Sequence, residues 1–309
     1  MQAKTLLNAT QEHCNLAVCR RAAKFIWLLT ALVAVLDIVF SITSGIKFNK
    51  NVLLFLAGIS LFLGSIYLFY KHKRQDAGIC SVIEILLQAV LFSNLAAAFS
   101  YLSASTSLPL YDDLFSKADI FIGFDYLGYA QFIHSIPWLS WLLTMAYISI
   151  GAQFVIMMMW LFVVKNTLRL QEVMLASALG AIVSIIISAS LPSVSAYLHY
   201  AYSGVQFDYV ALGSQISDLF LLRSGGMSEL PIMYQGIITF PSFHSTLGVM
   251  FIYAFWNFFW LRLLVFPLNL LLFLSTTVEG GHYLIDTFAG ILIGIITLLV
   301  ARRVTALPS

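Results

Sequence analysis

The chain has 309 residues, 61% of them hydrophobic and 10% charged, with a mean hydropathy of +0.93. A soluble domain carries roughly 25% charged residues, so too few polar side chains exist to clothe a water-facing surface, and lipid must solvate much of the chain. The net charge of +2, from 16 Lys and Arg against 14 Asp and Glu, provides no dense basic face and excludes a nucleic-acid-binding role.

A polar segment, 1–24, comes first. It is too long for a signal-peptide n-region and no small-residue cleavage site follows, so it reads as a retained tail. Eight apolar runs approach the ~20 residues that cross a bilayer: 25–42, 52–70, 79–102, 138–164, 173–191, 245–261, 263–278 and 283–301. Backbone groups in lipid must be satisfied internally, and the runs lack barrel-like alternation, so each is expected to be a helix. The seventh run is short and contains Pro267. Two inter-run segments, 103–137 and 192–240, are too long for turns and too aromatic for disorder, and read as interfacial helices and loops. The expected fold is an all-α polytopic membrane bundle of about eight transmembrane helices, with interfacial helices on the outer face.

Orientation follows from the basic residues between runs. With the N-terminus inside, twelve Lys and Arg fall on inner segments and only Lys47, Lys50, Lys117 and Arg223 on outer ones. Both termini are therefore expected in the cytoplasm, and the outer face is acidic. Cys14, Cys19 and Cys80 all fall on the inner side and are read as ordinary thiols. Asp37 and Glu84 lie within runs one and three, where ionisable groups are costly. They read as a polar contact between those helices, as a protonated buried carboxyl, or as the mark of a transporter.

Two stretches begin the outer ends of runs six and eight: FPSFHST at 240–246 and EGGHYLIDTFAG at 279–290. His282 and Asp286 are four apart, a spacing at which the carboxylate can take a hydrogen bond from the imidazole and leave its other nitrogen more nucleophilic. Segment counting places His244 and Ser242 at the same depth and side. A metal site from His244, His282 and Asp286 is chemically possible, but no HExxH accompanies it, and neither metal nor cofactor is expected. The Gly280–Gly281 pair is either a turn or a place where amides approach a phosphate closely.

These stretches resemble the second and third motifs of the type 2 phosphatidic acid phosphatase superfamily, PSGH and SRxxxxxHxxxD. The wording FPSFHS and GGHYLID is nearer its inositolphosphotransferase branch, which includes inositol phosphorylceramide synthases. The match is specific over 240–290 and weaker in LPLYDDLFSKADIFIGFDYLGYAQFI and LFLLRSGG upstream. The resemblance implies a six-helix catalytic core, here 79–301, preceded by two added helices in 25–78 and followed by a tail, 302–309. It further implies that His282 is a nucleophile forming a phosphohistidine, Asp286 orients it, His244 protonates the leaving oxygen and Ser242 bonds the phosphate.

The departures are specific. Phe243 stands where the family has glycine, Ser275 and Thr276 stand where it has Ser-Arg, and the first motif, KxxxxxxRP, is absent. Phosphoryl transfer needs cations around the equatorial oxygens, and Arg223 is the cation left on the outer side near these motifs, so it is the expected phosphate clamp. His134 and His199 are further outer histidines. The expected substrate is a lipid phosphate or phospholipid, with water or a hydroxylated lipid as acceptor. The alternative is a transporter using Asp37 and Glu84.

Overall fold

The computed structural model describes residues 2–106, 108–201, 213–232 and 236–306, with side chains described from residue 20 onward and, in the third stretch, from residue 215. Helices dominate, in the order α1 (Gln2–Ser44), α2 (Lys50–Phe69, extended by a π-helical turn Tyr70–Arg74), α3 (Ala77–Ala104), α4 (Asp112–Phe121), α5 (Tyr126–His134), α6 (Pro137–Ile148), α7 (Ile150–Val163), α8 (Thr167–Ser190), α9 (Ala196–Ala201), α10 (Gly213–Arg223), α11 (Phe243–Phe255), α12 (Phe259–Glu279) and α13 (Leu284–Ala306). Among the described residues the only extended pairing is an isolated bridge between Lys47 and Glu229.

Local chemistry marks many helix starts. The Asn49 side chain accepts from the Asn51 amide at 2.9 Å, Asp76 from Ile79 at 2.9 Å, Asp125 from Gly128 at 3.1 Å and Asn166 from Arg169 at 3.2 Å. Each satisfies an amide that has no partner within its own helix. Pro137 opens α6, where its missing N–H costs nothing.

Among the described residues six helices are long and apolar enough to cross a membrane, and the α6–α7 pair, bent by 48°, makes a seventh if taken as one span. The protein is thus an all-α integral membrane bundle. The difference from the eight expected runs lies in the sixth, which forms the 13-residue α11. At about 1.5 Å per residue it reaches only about 20 Å, short of a ~30 Å hydrocarbon core. It stops at a turn through Trp256 and Asn257, and α12 carries Pro267 inside it.

α11 occupies the middle of the bundle. Phe251 and Phe255 pack with Met157 of α7, Leu170 and Val173 of α8, Ile26 of α1 and Ala301 of α13. The segment expected as a tail before residue 25 is helical in continuity with α1, and α1 supplies Ala22, Ile26 and Val33 to the core. α2 by contrast buries only Leu56, while Leu54 and Leu61 are 69% and 75% exposed, as suits a helix bathed in lipid rather than water. Asp37 and Glu84 do not meet. Glu84 accepts from Trp27 Nε1 at 3.0 Å, nearer the start of α1 than Asp37, whose two carboxylate oxygens are buried without a hydrogen-bond partner. Ten residues of helix, about 15 Å, separate the two α1 positions.

The interfacial elements expected between runs are present as α4, α5, α9 and α10, and they gather at one end of the bundle. Tyr111 N bonds Pro192 O at 2.9 Å, Ala196 N bonds Gly281 O at 2.8 Å, and Ile237 N bonds Ser100 Oγ at 2.9 Å. Residues 202–212, part of the second long segment, lie outside the described residues.

Candidate active site

The α12–α13 connection is a tight turn. Gly280 closes α12 with its amide on Thr276 O at 3.1 Å, and Gly281 follows at φ +64, a left-handed conformation that favours glycine. The chain then doubles back so that His282 N also reaches Thr276 O, at 3.2 Å. His282 therefore precedes α13 instead of sharing a helical face with Asp286. Asp286, in the first turn of α13, reaches back, and its Oδ2 accepts from the Tyr283 amide at 3.0 Å and lies 3.2 Å from His282 Nδ1. The i+4 pairing read from the sequence is made, but as a cap at a helix entrance.

Both side chains are buried, at 6% and 0% exposure, and Asp286 Oδ1 has no hydrogen-bond partner. Burial pushes the His282 imidazole from 6.5 down to about 4, against the opposing effect of the Thr239 carbonyl beside it. The ring is thus neutral at pH 7.

The second motif is tied directly to the first. Ser242 N donates to Asp286 O at 3.0 Å, and a Cβ on Gly290 would run into the Ser242 carbonyl, so α13 crosses the start of α11 at backbone contact. Ser242 is the N-cap residue of α11, yet its Oγ makes no capping bond. Ser242 Oγ and Ser245 Oγ are both buried without a partner. His244 stacks on Tyr147, with ring centroids 4.5 Å apart and planes 10° from parallel. His244, His282, Tyr147, Thr239, Phe243 and Gly280 share the wall of a cavity of about 210 Å³.

Several residues that shape this site had no role assigned to them from the sequence. Asp119 of α4 accepts from Leu284 N at 2.8 Å and Ile285 N at 2.9 Å, one through each oxygen, and so caps α13 from outside. Burial raises its carboxyl above the ordinary range, and those two amides partly offset the rise. Asp112 gathers Ser193 Oγ at 2.6 Å, the Val194 amide at 3.1 Å and Tyr283 Oη at 3.1 Å. Glu279 takes Thr144 Oγ1 at 2.7 Å, fixing α12 to α6 beside Tyr147. The acid-bearing segment LPLYDDLFSKAD was visible in the sequence, but its target, more than 160 residues away, was not.

Other expected site residues fall at the margin. Arg223 does not line the histidine cavity. Its guanidinium donates to Leu108 O at 2.7 Å and borders a small neighbouring recess, which shares Leu219, Ile237 and Thr239 with that cavity. The Gly280 amide is taken by Thr276 O, while Gly280 itself lines the histidine cavity. Ser275 and Thr276 are fully buried, and Thr276 Oγ1 bonds Thr287 Oγ1 at 2.6 Å, joining α12 to α13 where the family carries arginine. His134 is held by Ala130 O at 2.8 Å, and His199 packs edge-on to Tyr283. Among the described residues no group of three or more His, Cys, Asp and Glu is arranged to hold a metal.

The sequence profile described as PAP2 superfamily matches residues 114–300, more than half of the chain. The chain belongs to the PAP2 superfamily. Membership supports a phosphatase or phosphotransferase type of activity on a phosphorylated lipid at a membrane. The matched region begins inside α4 and ends inside α13, taking in Asp119, His244, His282 and Asp286 and leaving out α1, α2 and α3. No curated protein and no solved structure matches the chain.

Proposed function

We propose that this PAP2 superfamily protein breaks a lipid phosphoester through a phosphohistidine on His282. The observation that carries the reading is the 3.2 Å contact of His282 Nδ1 with Asp286, with His244 across the same cavity. With Nδ1–H donating to Asp286, Nε2 carries the lone pair. It attacks phosphorus as the bond to the leaving oxygen breaks, and His244 delivers a proton to that oxygen. In the second half, water or a lipid hydroxyl gives a proton to His244 and its oxygen displaces Nε2. We assign the phosphate to the first-turn amides of α11 and to Ser242 Oγ, which is buried and unpartnered although it does not line the cavity. Arg223 supplies the cation after leaving Leu108 O.

A site with one nearby cation and the buried acids Asp112, Asp119, Glu279 and Asp286 around it favours a singly charged phosphodiester over a doubly charged monoester. This agrees with the likeness to the inositolphosphotransferase branch and favours headgroup transfer. The distribution of basic residues supports a site facing away from the cytoplasm. We further propose that 79–301 is the catalytic unit, with 25–78 an added helical pair and 1–24 and 302–309 cytoplasmic ends.

The test is trapping. Purified protein incubated with phosphorus-labelled phosphatidic acid and phosphatidylinositol, then quenched in alkali, is expected to hold an alkali-stable, acid-labile label that His282→Ala abolishes. Equal turnover by wild type and His282→Ala on every labelled lipid would sink the assignment.

A further inference from the structure

Beside the histidine cavity lies a larger one of about 400 Å³, and Gly236, Ile238 and Phe243 form part of the wall of both. The hollow is partly open rather than sealed, and in a protein solvated by lipid an apolar hollow of this size is filled by hydrocarbon. Ile26 of α1, Phe92, Ala96 and Ala97 of α3, Phe154 of α7 and Ala178 of α8 make its sides. It extends along α3 from Ser100, at the site end, to Gln88, which is fully buried with its Nε2 on Ala23 O at 2.9 Å. Those twelve residues of helix span about 18 Å, close to the roughly 15 Å of hydrocarbon in one leaflet. The walls are mostly carbon, broken by Gln88, Ser93, Ser100 and Ser177, so a charged headgroup would lose far more hydration there than these few groups replace. One lipid chain suits both length and chemistry.

We propose that this chamber holds a hydrocarbon chain of the phospholipid whose phosphate is presented to His282, with Phe243 as the partition between chain and headgroup. The inference rests on the phosphoryl-transfer reading and adds a site to it. Phe243 occupies the position where the resembled motif has glycine, and its ring also packs with the α1, α3 and α8 core. A glycine there would merge the two hollows. The α1 and α3 walls precede residue 114 and so lie outside the superfamily match. Selection of chain length therefore belongs to a part of the chain that the family motifs do not describe.

Two variants fill the chamber without touching the histidines. Ala97→Phe projects into it from α3. Gly151→Trp adds bulk at its rim on α7, where Gly151 is exposed and an added Cβ meets nothing within 4 Å. Each is assayed on phosphatidylinositol and phosphatidic acid with long acyl chains and with six-carbon chains. Displacing a few methylenes from an apolar site, each worth about 0.8 kcal/mol, predicts a loss of about tenfold or more in kcat/KM on the long-chain lipids and a change within about twofold on the short-chain ones. Equal losses on both, or no loss on either, would overturn the proposal. Photolysis of a phosphatidic acid bearing a diazirine at the end of one chain provides a readout independent of turnover. Cross-links are expected within 88–97, in wild type and in His282→Ala alike. Cross-links confined to the exposed face of α2 would refute the chamber, whereas cross-links within 88–97 in a protein that turns over neither lipid would support the chamber and defeat the phosphoryl-transfer reading.

Discussion

One oxygen of Asp286 serves both the Tyr283 amide and His282 Nδ1, while the other is buried without a partner. The same carboxylate thus sets the turn and orients the imidazole. Asp286→Asn keeps the shape but loses the charge opposite a phosphorylated, cationic ring. Turnover is expected to fall by about 10²–10⁴ with little change in thermal midpoint, read by steady-state assay and by melting in detergent. The pH profile follows from His282. Its folded value, lowered by burial to about 4, lies below the unfolded 6.5, so the unfolded state binds the proton first as pH falls. Its contribution to stability is complete above pH 6.5 and is lost between there and about 4. On a phosphodiester lipid, which has no ionisation of its own in this range, the acid limb of kcat/KM is expected near pH 4, and a limb near 6.5 would count against this ring as the neutral nucleophile. Arg223 is testable by pairing Arg223→Ala with Arg223→Lys, because a lysine lacks the planar fork. Losses of about tenfold or more in both are expected, and activity within about twofold of wild type in both would remove the clamp.

At the scale of elements, the entrance of α13 carries most of the site, and it is held from outside. Asp119, on α4, bonds two of its free amides. Asp119→Ala is expected to cost about 1–2 kcal/mol of stability, as a lost N-cap does, and to lower kcat more than it raises KM, because it lets the His282 turn drift. Asp119→Asn retains acceptor oxygen and should recover part of both. The crossing of α11 and α13 depends on Gly290, whose Cβ position is filled by the Ser242 carbonyl. Gly290→Ala must therefore part the two motifs. Thermal midpoint and His282 phosphorylation are both expected to fall, while alanine at Gly64, in open space on α2, should leave both unchanged.

Across the whole molecule, α1 is built into the core although it lies outside the family match, whereas α2 rides on the lipid-facing surface. The same global arrangement puts α4, α5, α9 and α10 at one end and Lys71, Lys73 and Arg74 at the other end of α2 from Asn49. Sidedness is then open to measurement. In a protein lacking Cys14, Cys19 and Cys80, Lys117→Cys should react with an impermeant maleimide on intact cells, and Lys73→Cys only after permeabilisation. The reverse pattern would turn the site toward the cytoplasm.

The apolar runs were legible because crossing a bilayer is a local demand on about 20 consecutive residues, and six of them became long helices directly. The two histidine stretches were legible for a similar reason. His282 and Asp286 are near in sequence, and His244 begins another helix at the same end of the bundle. Contacts between distant segments were not visible. Asp119 meets Leu284 across 165 residues, Tyr147 reaches His244 from the bend between α6 and α7, and Arg223 docks on Leu108 in place of the histidine cavity. Hydropathy and spacing decided that this is a helical membrane protein with paired histidine motifs. Only packing decided which carboxylates hold those motifs and that Phe243 stands between two hollows, because each depends on side chains brought together from segments far apart in the chain.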